Sequence, residues 1–122
     1  VADRDDDSLL KWEVQLRKGS LELAVLAALW SESRYGLELL RRLEDGSRLS
    51  VPEGTVYPLL NRLRAEGLVA SEWVESEVGH PRKYYRLTPK GRRHAQQMRR
   101  TWSSFATSLD RLLAPLRRED NG

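Results

Sequence analysis

From Ala95 to Leu116 the residues Ala95, Met98, Trp102, Phe105, Leu109, Leu112 and Leu116 follow one another in alternating steps of three and four. A helix with such a seam carries one narrow apolar stripe and needs another helix to cover it. Thr88 and Pro89 supply its start, a cap followed by proline at a position where a missing N–H costs little, and Pro115 is the expected stop. The seam thus predicts a C-terminal helix over 89–114 and a tail over 115–122. The other stretch with apolar surface to spare is a predicted helix from Ser8 to Lys18, with Leu9, Trp12 and Leu16 on one side. Covering both by a second copy around a two-fold axis predicts a homodimer through Leu9, Trp12, Leu16, Met98, Trp102, Phe105, Leu109 and Leu112. Pairing of the two helices within one chain is the other arrangement, and the two can coexist.

The residues ahead of the seam read as further short elements. Val1 to Asp7 is acidic and charge-rich, and is expected to be a disordered tail. Gly19 breaks the first helix, and Ser20 caps LELAVLAALW, which is apolar almost all round and reads as the central buried helix. After a connection from Ser31 to Arg34, Tyr35 to Asp45 forms a helix with Leu39, Leu40 and Leu43 inward. Gly46 ends it. Soon afterwards Ser50 and Glu53 have the spacing of a capping box, and Val56, Leu59, Leu60 and Leu63 form the inner stripe of a helix that Gly67 ends.

Pro58 lies inside that helix, where it removes the bond to the Gly54 carbonyl at a cost of about 3 kcal/mol. Either a kinked helix persists because Gly54 leaves room for the ring, or the helix starts near Pro58 and the preceding residues form a turn. Two helices separated by so short a connection predict a helix-turn-helix. The pattern then changes to β: Val69, Ser71 and Trp73 alternate with Ala70, Glu72 and Val74, Gly79 and Pro81 mark a turn, and RKYYRLT is a second strand. Residues 8–88 therefore predict a winged helix-turn-helix. The whole chain is expected to be mostly α with a small β-hairpin, extended by a long C-terminal dimerisation helix.

Composition narrows the function. A chain of 122 residues, 32% of them charged, is one domain, and no run approaches the ~20 apolar residues of a membrane span. The acidic N-terminus lacks the basic start of a secretory signal, and cysteine is absent, so a cytoplasmic protein without disulfides or thiolate metal sites is expected. His80 and His94, the only histidines, have no carboxylate–histidine spacing or glycine-rich phosphate cradle near them. No catalytic activity, cofactor or metal is expected. The formal net charge is only +3, yet Arg82 to Arg100 is rich in arginine and lysine and contains no acidic residue, which suits phosphates.

The segment GTVYPLLNRLRAEGLV followed by SEW, then GHPRKYYRLTPKG, resembles the PadR family of winged-helix transcriptional regulators, and LRKGSLELAVLAAL resembles its first core helix. The resemblance runs from about Leu16 to Gly91. It implies DNA-binding repression, and the single helix after Gly91 is similar to the short C-terminal subgroup. In such a dimer the helices from Ser50 to Glu66 enter successive major grooves about 34 Å apart and read a pseudo-palindromic operator. Thr55, Tyr57, Pro58, Asn61 and Arg62 are the candidates for contact there, asparagine suiting adenine and arginine guanine. Tyr57 has a second reading, burial against the wing. His80, where an arginine is commoner in the family, joins Arg82 and Lys83 as wing contacts to phosphate or the minor groove. Trp102 is either a seam residue or, as in resembling drug-sensing members, a wall for a flat aromatic effector. A winged helix used only to bind another protein is the alternative function, and its usual mark is a reading helix and wing without basic residues.

Overall fold

The structure, a computed structural model, describes residues 2–45 and 51–121, with side-chain surroundings for 7–45 and 51–118. In chain order the elements are α1 (Ala2–Ala28), β1 (Arg34–Tyr35), α2 (Gly36–Glu44), α3 (Glu53–Ala65), β2 (Val69–Val74), β3 (Arg82–Leu87) and α4 (Pro89–Asn121). The strands form one antiparallel sheet in the order β1-β3-β2. Three helices around a leucine-rich core, followed by a hairpin and a long helix, give the mostly α winged helix-turn-helix predicted from the sequence.

The core gathers Leu21, Val25, Leu26 and Leu29 of α1, Leu39, Leu40 and Leu43 of α2, and Val56, Leu60 and Leu63 of α3. The hairpin closes it with Val69, Tyr85 and Leu87, and α4 adds Ala95. In the register of β2 on β3, Val69 faces Leu87, Ser71 faces Tyr85 and Trp73 faces Lys83. One face of the hairpin thus starts in the core and runs out past it. β1 is an addition to the two expected strands: Arg34 and Tyr35, read as connection and helix start, pair with Tyr85 and Tyr84. Glu38 then accepts a hydrogen bond from the Tyr35 N–H at 3.1 Å, starting α2 one residue later.

Two helices run through the breaks expected of them. α1 is continuous from Ala2, through the segment expected to be a disordered tail and through Gly19. An exposed mid-helix glycine costs only about 1 kcal/mol, which the packed leucines beyond it offset. Ser20 does not cap a new helix; its hydroxyl donates to the Leu16 carbonyl at 2.9 Å within the same one. α4 likewise runs through Pro115, where a stop and a tail were expected. The carbonyl that Pro115 leaves without its helical donor belongs to Arg111, an exposed residue within reach of water. Beside it the Arg117 guanidinium reaches the Asp110 carbonyl at 3.2 Å and its carboxylate at 2.9 Å.

α3 contains Pro58, as the kinked-helix reading requires. Gly54 does not serve the purpose expected of it, because a Cβ there would have no atom within 4 Å, the proline ring included. Gly46 and the Ser50 half of the capping box lie outside the described residues, and Pro52 flanks the helix start.

α4 is seated on the end of α3 by a compact set of polar contacts. Thr88 donates from its backbone to the Leu68 carbonyl at 3.1 Å and from its hydroxyl to the Gly67 carbonyl at 2.6 Å. The same hydroxyl accepts from the Gly91 N–H at 2.9 Å, so the predicted cap is in place. Lys90 Nζ donates to the Glu66 carbonyl at 2.9 Å. Gly67, at φ +78°, makes the left-handed exit from α3 that this approach requires.

Candidate functional site

With Val56, Leu60 and Leu63 buried, the outward face of α3 is Gly54, Pro58, Asn61 and Ala65, all exposed. Thr55 and Arg62 lie at one edge of that face and Tyr57 and Arg64 at the other, as a period of 3.6 dictates. Gly54 and Pro58, whose missing N–H removes the usual donor to the Gly54 carbonyl, are both exposed, so the irregularity falls away from the core.

Tyr57 is half-buried and lies over Gly36 at the start of α2, leaving no room for a Cβ at that glycine. Burial, and then the nearby Glu53 carboxylate, push its hydroxyl above the ordinary tyrosine pKa, so it stays a neutral donor. Tyr85 is pushed the same way by burial and by Tyr57, with Arg64 pulling it down. The ring of Tyr57 meets the wing root as one wall of a hollow of about 340 Å3, whose other walls include Tyr35, Leu37, Trp73, Arg82 and Lys83.

The cations of the wing are spread over aromatic faces. The Arg82 guanidinium lies 4.5 Å from the Tyr35 ring centre, and Lys83 Nζ lies 5.8 Å from both Trp73 and Tyr85. Tyr35 in turn meets Tyr84 at 5.7 Å. Such stacking holds long side chains in one orientation while their N–H groups stay free to face solvent. His80 stands further out, exposed in the turn at the wing tip, near Gly79 with its φ of +142°.

Among the described residues, then, Tyr57, Arg82 and Lys83 line one hollow, while Pro58, Asn61 and Thr55 are exposed on the outward side of α3 and His80 is exposed at the wing tip. Arg62 points elsewhere. Its Nη1 donates to Glu66 at 2.9 Å and its Nη2 to Glu22 of α1 at 3.1 Å. Both carboxylates hold the guanidinium above its ordinary pKa, the Glu66 hydrogen bond most strongly.

Trp73 belongs to the hollow and was not singled out from the sequence. It is 67% exposed, on the β2 face that begins with buried Val69. The sequence signal was present in the alternation itself: a tryptophan on the inner face, four residues beyond the strand's buried start, overruns a core this small.

The dimerisation candidates fall into two groups. Met98 packs against the core and Leu16 helps line a groove with Trp102 and Phe105, about 620 Å3 in volume, between α1 and α4. Within one chain this groove realises part of the intramolecular pairing. Trp12 at 59%, Phe105 at 60% and Leu112 at 77% nevertheless remain exposed, and so do Leu9, Trp102 and Leu109. Among the described residues there is no group of histidines and carboxylates able to hold a metal, and no helix long and apolar enough to cross a membrane.

A helix presented after a short connection, with a basic wing beside its polar face, defines the DNA-binding class of winged helix-turn-helix proteins. Residues 25–97 match the model of the PadR-like family of transcriptional regulators, and the chain belongs to that family. A transcriptional regulator of Mycobacterium tuberculosis is 33% identical over 96 residues, covering 78% of this chain and 87% of the relative. The crystal structure of a PadR family transcriptional regulator from Eggerthella lenta is 35% identical with a TM-score of 0.83, over 91% of this chain and 96% of that one. A PadR-like regulator from Bacillus cereus is also 35% identical, with a TM-score of 0.74 over 82% of this chain and 97% of that one.

Proposed function

We propose that the protein is a sequence-specific repressor that binds a pseudo-palindromic operator as a homodimer, reading it with α3 and gripping the flanking backbone with the wing. The observation that carries this is the hollow in which Tyr57 of α3 meets the stacked Arg82 and Lys83 of the wing, beside the exposed polar side of α3 that holds Asn61, Pro58 and Thr55. Asn61, exposed at the centre of the face, is the base-reading candidate. Thr55, Tyr57, His80, Arg82 and Lys83 position the protein on phosphates or in the minor groove. A dimer seated on a promoter covers DNA that RNA polymerase needs, so repression follows from binding alone. The basic wing also weighs against the alternative of a winged helix used only to bind protein. Selection of bound duplexes from a random pool tests the proposal: enrichment of a two-fold symmetric site with half-sites one helical turn apart is expected, and a pool that stays random contradicts it.

Trp73 extends the phosphate-facing surface as a flat wall beside Lys83. Replacing Trp73 by alanine is expected to weaken operator binding about two- to fivefold while leaving folding intact, since an exposed side chain contributes little to the core and the ring's hold on Lys83 is worth ~0.5–1 kcal/mol at an exposed site. Titration of a labelled operator together with a melting curve checks both halves.

Dimerisation is supported by the exposed apolar residues of α1 and α4, Leu9, Trp12, Phe105 and Leu112 among them, which a second copy would cover. The groove bordered by Trp102, Phe105, Met98 and Leu16 suits a planar apolar effector that would loosen the dimer from DNA. Quenching of tryptophan fluorescence by planar dyes, lost in Trp102→Phe, is the expected result for that role. Equal quenching in the variant leaves Trp102 as a packing residue of the seam.

A further inference from the structure

Arg62 is the candidate on α3 whose guanidinium, although half-exposed, is paired within the chain through both terminal nitrogens. Its two terminal nitrogens are divided between Glu66, one turn along the same helix, and Glu22, forty positions away in α1. Glu22 Oε2 accepts from Arg62 while its Oε1 lies 3.9 Å from His94 Nε2 of α4. A single carboxylate therefore touches side chains of α3 and α4 from its place on α1. Tyr57, at the opposite edge of α3, is seated on Gly36 of α2. The core leucines beneath hold α3 by close packing but supply no directional bond to it. The Arg62 pair is directional and the seat of Tyr57 on Gly36 is close-packed, and together they restrict how far α3 can rotate about its own axis.

We propose that Glu22 is a positioning residue for the reading helix, and that Arg62 serves specificity through this ion pair rather than by touching DNA. The inference rests on the DNA-reading role of α3. The pair ties the outward face of α3 to the α1–α4 scaffold that carries the dimer, so the spacing and the rotation of the two reading helices are set by one framework. Arg62 is then removed from the set of candidate DNA contacts. The exposed face of Asn61 and Pro58 keeps that role.

Charge reversal separates the two roles of Arg62. Glu22→Arg, Arg62→Glu and the double variant are compared in a competition between the selected operator and an unrelated duplex. Each single variant, which sets like charges against each other, is expected to lower the operator preference by about fivefold, the upper end of what an exposed ion pair contributes. The double variant, which restores an opposite-charge pair between positions 22 and 62 at the net charge of the wild type, is expected to recover most of the loss seen in Arg62→Glu, short of the like-charge repulsion that a glutamate at position 62 meets from Glu66 one turn away. If Arg62 instead contacts phosphate, the double variant remains as defective as Arg62→Glu and the slope of log K against log salt shrinks by about 0.9, which overturns the proposal. Wild-type preference with no defect in Glu22→Arg also overturns it. Should the wild type show no operator preference, the DNA-reading role fails by itself, and thermal unfolding decides the pair: recovery of the midpoint in the double variant supports it, and additive losses overturn it.

Discussion

Replacing Phe105 and Leu109 together by glutamate is expected to make the protein monomeric and to weaken operator binding by about 10²–10⁴-fold, the gain that joining two half-site contacts provides. Neither side chain supports the core of the single chain: both are exposed, on a part of α4 that extends beyond Met98, the last seam residue packed on the core. Four carboxylates brought together across a two-fold axis would have to be desolvated without partners, which no helix seam tolerates. The secondary structure and the unfolding of the winged-helix core are expected to change little. Light scattering gives the mass and titration of a labelled operator gives the affinity. A dimeric variant, or a monomer with undiminished affinity, contradicts the placement of the interface on this seam.

Gly91→Ala has the largest expected effect on stability. Gly91 is in the first turn of α4, buried against the backbone of Leu68, and a Cβ added there would run into the Leu68 carbonyl. A backbone cannot swing aside as a flexible side chain does. The substitution must displace the start of α4, straining the Thr88 and Lys90 contacts to Gly67 and Glu66. A loss of about 1–3 kcal/mol is expected, as for other overpacked sites. Gly54→Ala is the matched control, since its Cβ meets open space and alanine favours a helix by about 1 kcal/mol. Denaturant unfolding of the two variants should therefore move in opposite directions. A neutral Gly91→Ala would mean that α4 does not dock as described.

Much of this architecture was legible in the residues. The stripe Val56, Leu60, Leu63 and the alternation through Val69, Ser71 and Trp73 are local periodicities, and periodicity reports which side faces a core. The Thr88–Pro89 start of α4 was legible for the same local reason, a cap and its proline. Boundaries governed by tertiary packing were not. Gly19 and Pro115 are punctuation in a sequence, but each costs at most a few kcal/mol, and helices packed along the rest of their length continue through them. The role of Gly54 was misjudged because a glycine four residues before a proline suggests a steric need that the geometry does not have.

The face of the site was only partly legible. Asn61 and Thr55 follow from the helix period. The reversal of Arg62 onto Glu22 depends on a contact between residues forty apart, and nothing local announces it. Tyr57 was left between two readings, and its seat over Gly36 belongs to packing rather than to pattern. Trp73 was placed on the correct face of its strand, but its exposure depends on where the core ends.

The central claim is that the cationic wing and α3 form one surface against DNA, and the salt dependence of binding tests it most directly. Operator affinity should be measured over a range of salt concentrations for the wild type, Arg82→Ala, Lys83→Ala and the double variant. Each removed phosphate contact is expected to reduce the slope of log K against log salt by about 0.9 and to weaken binding to every duplex alike, with the preference for the operator retained. An unchanged slope in the double variant would contradict the account, because a wing that releases no counterions does not lie against the DNA.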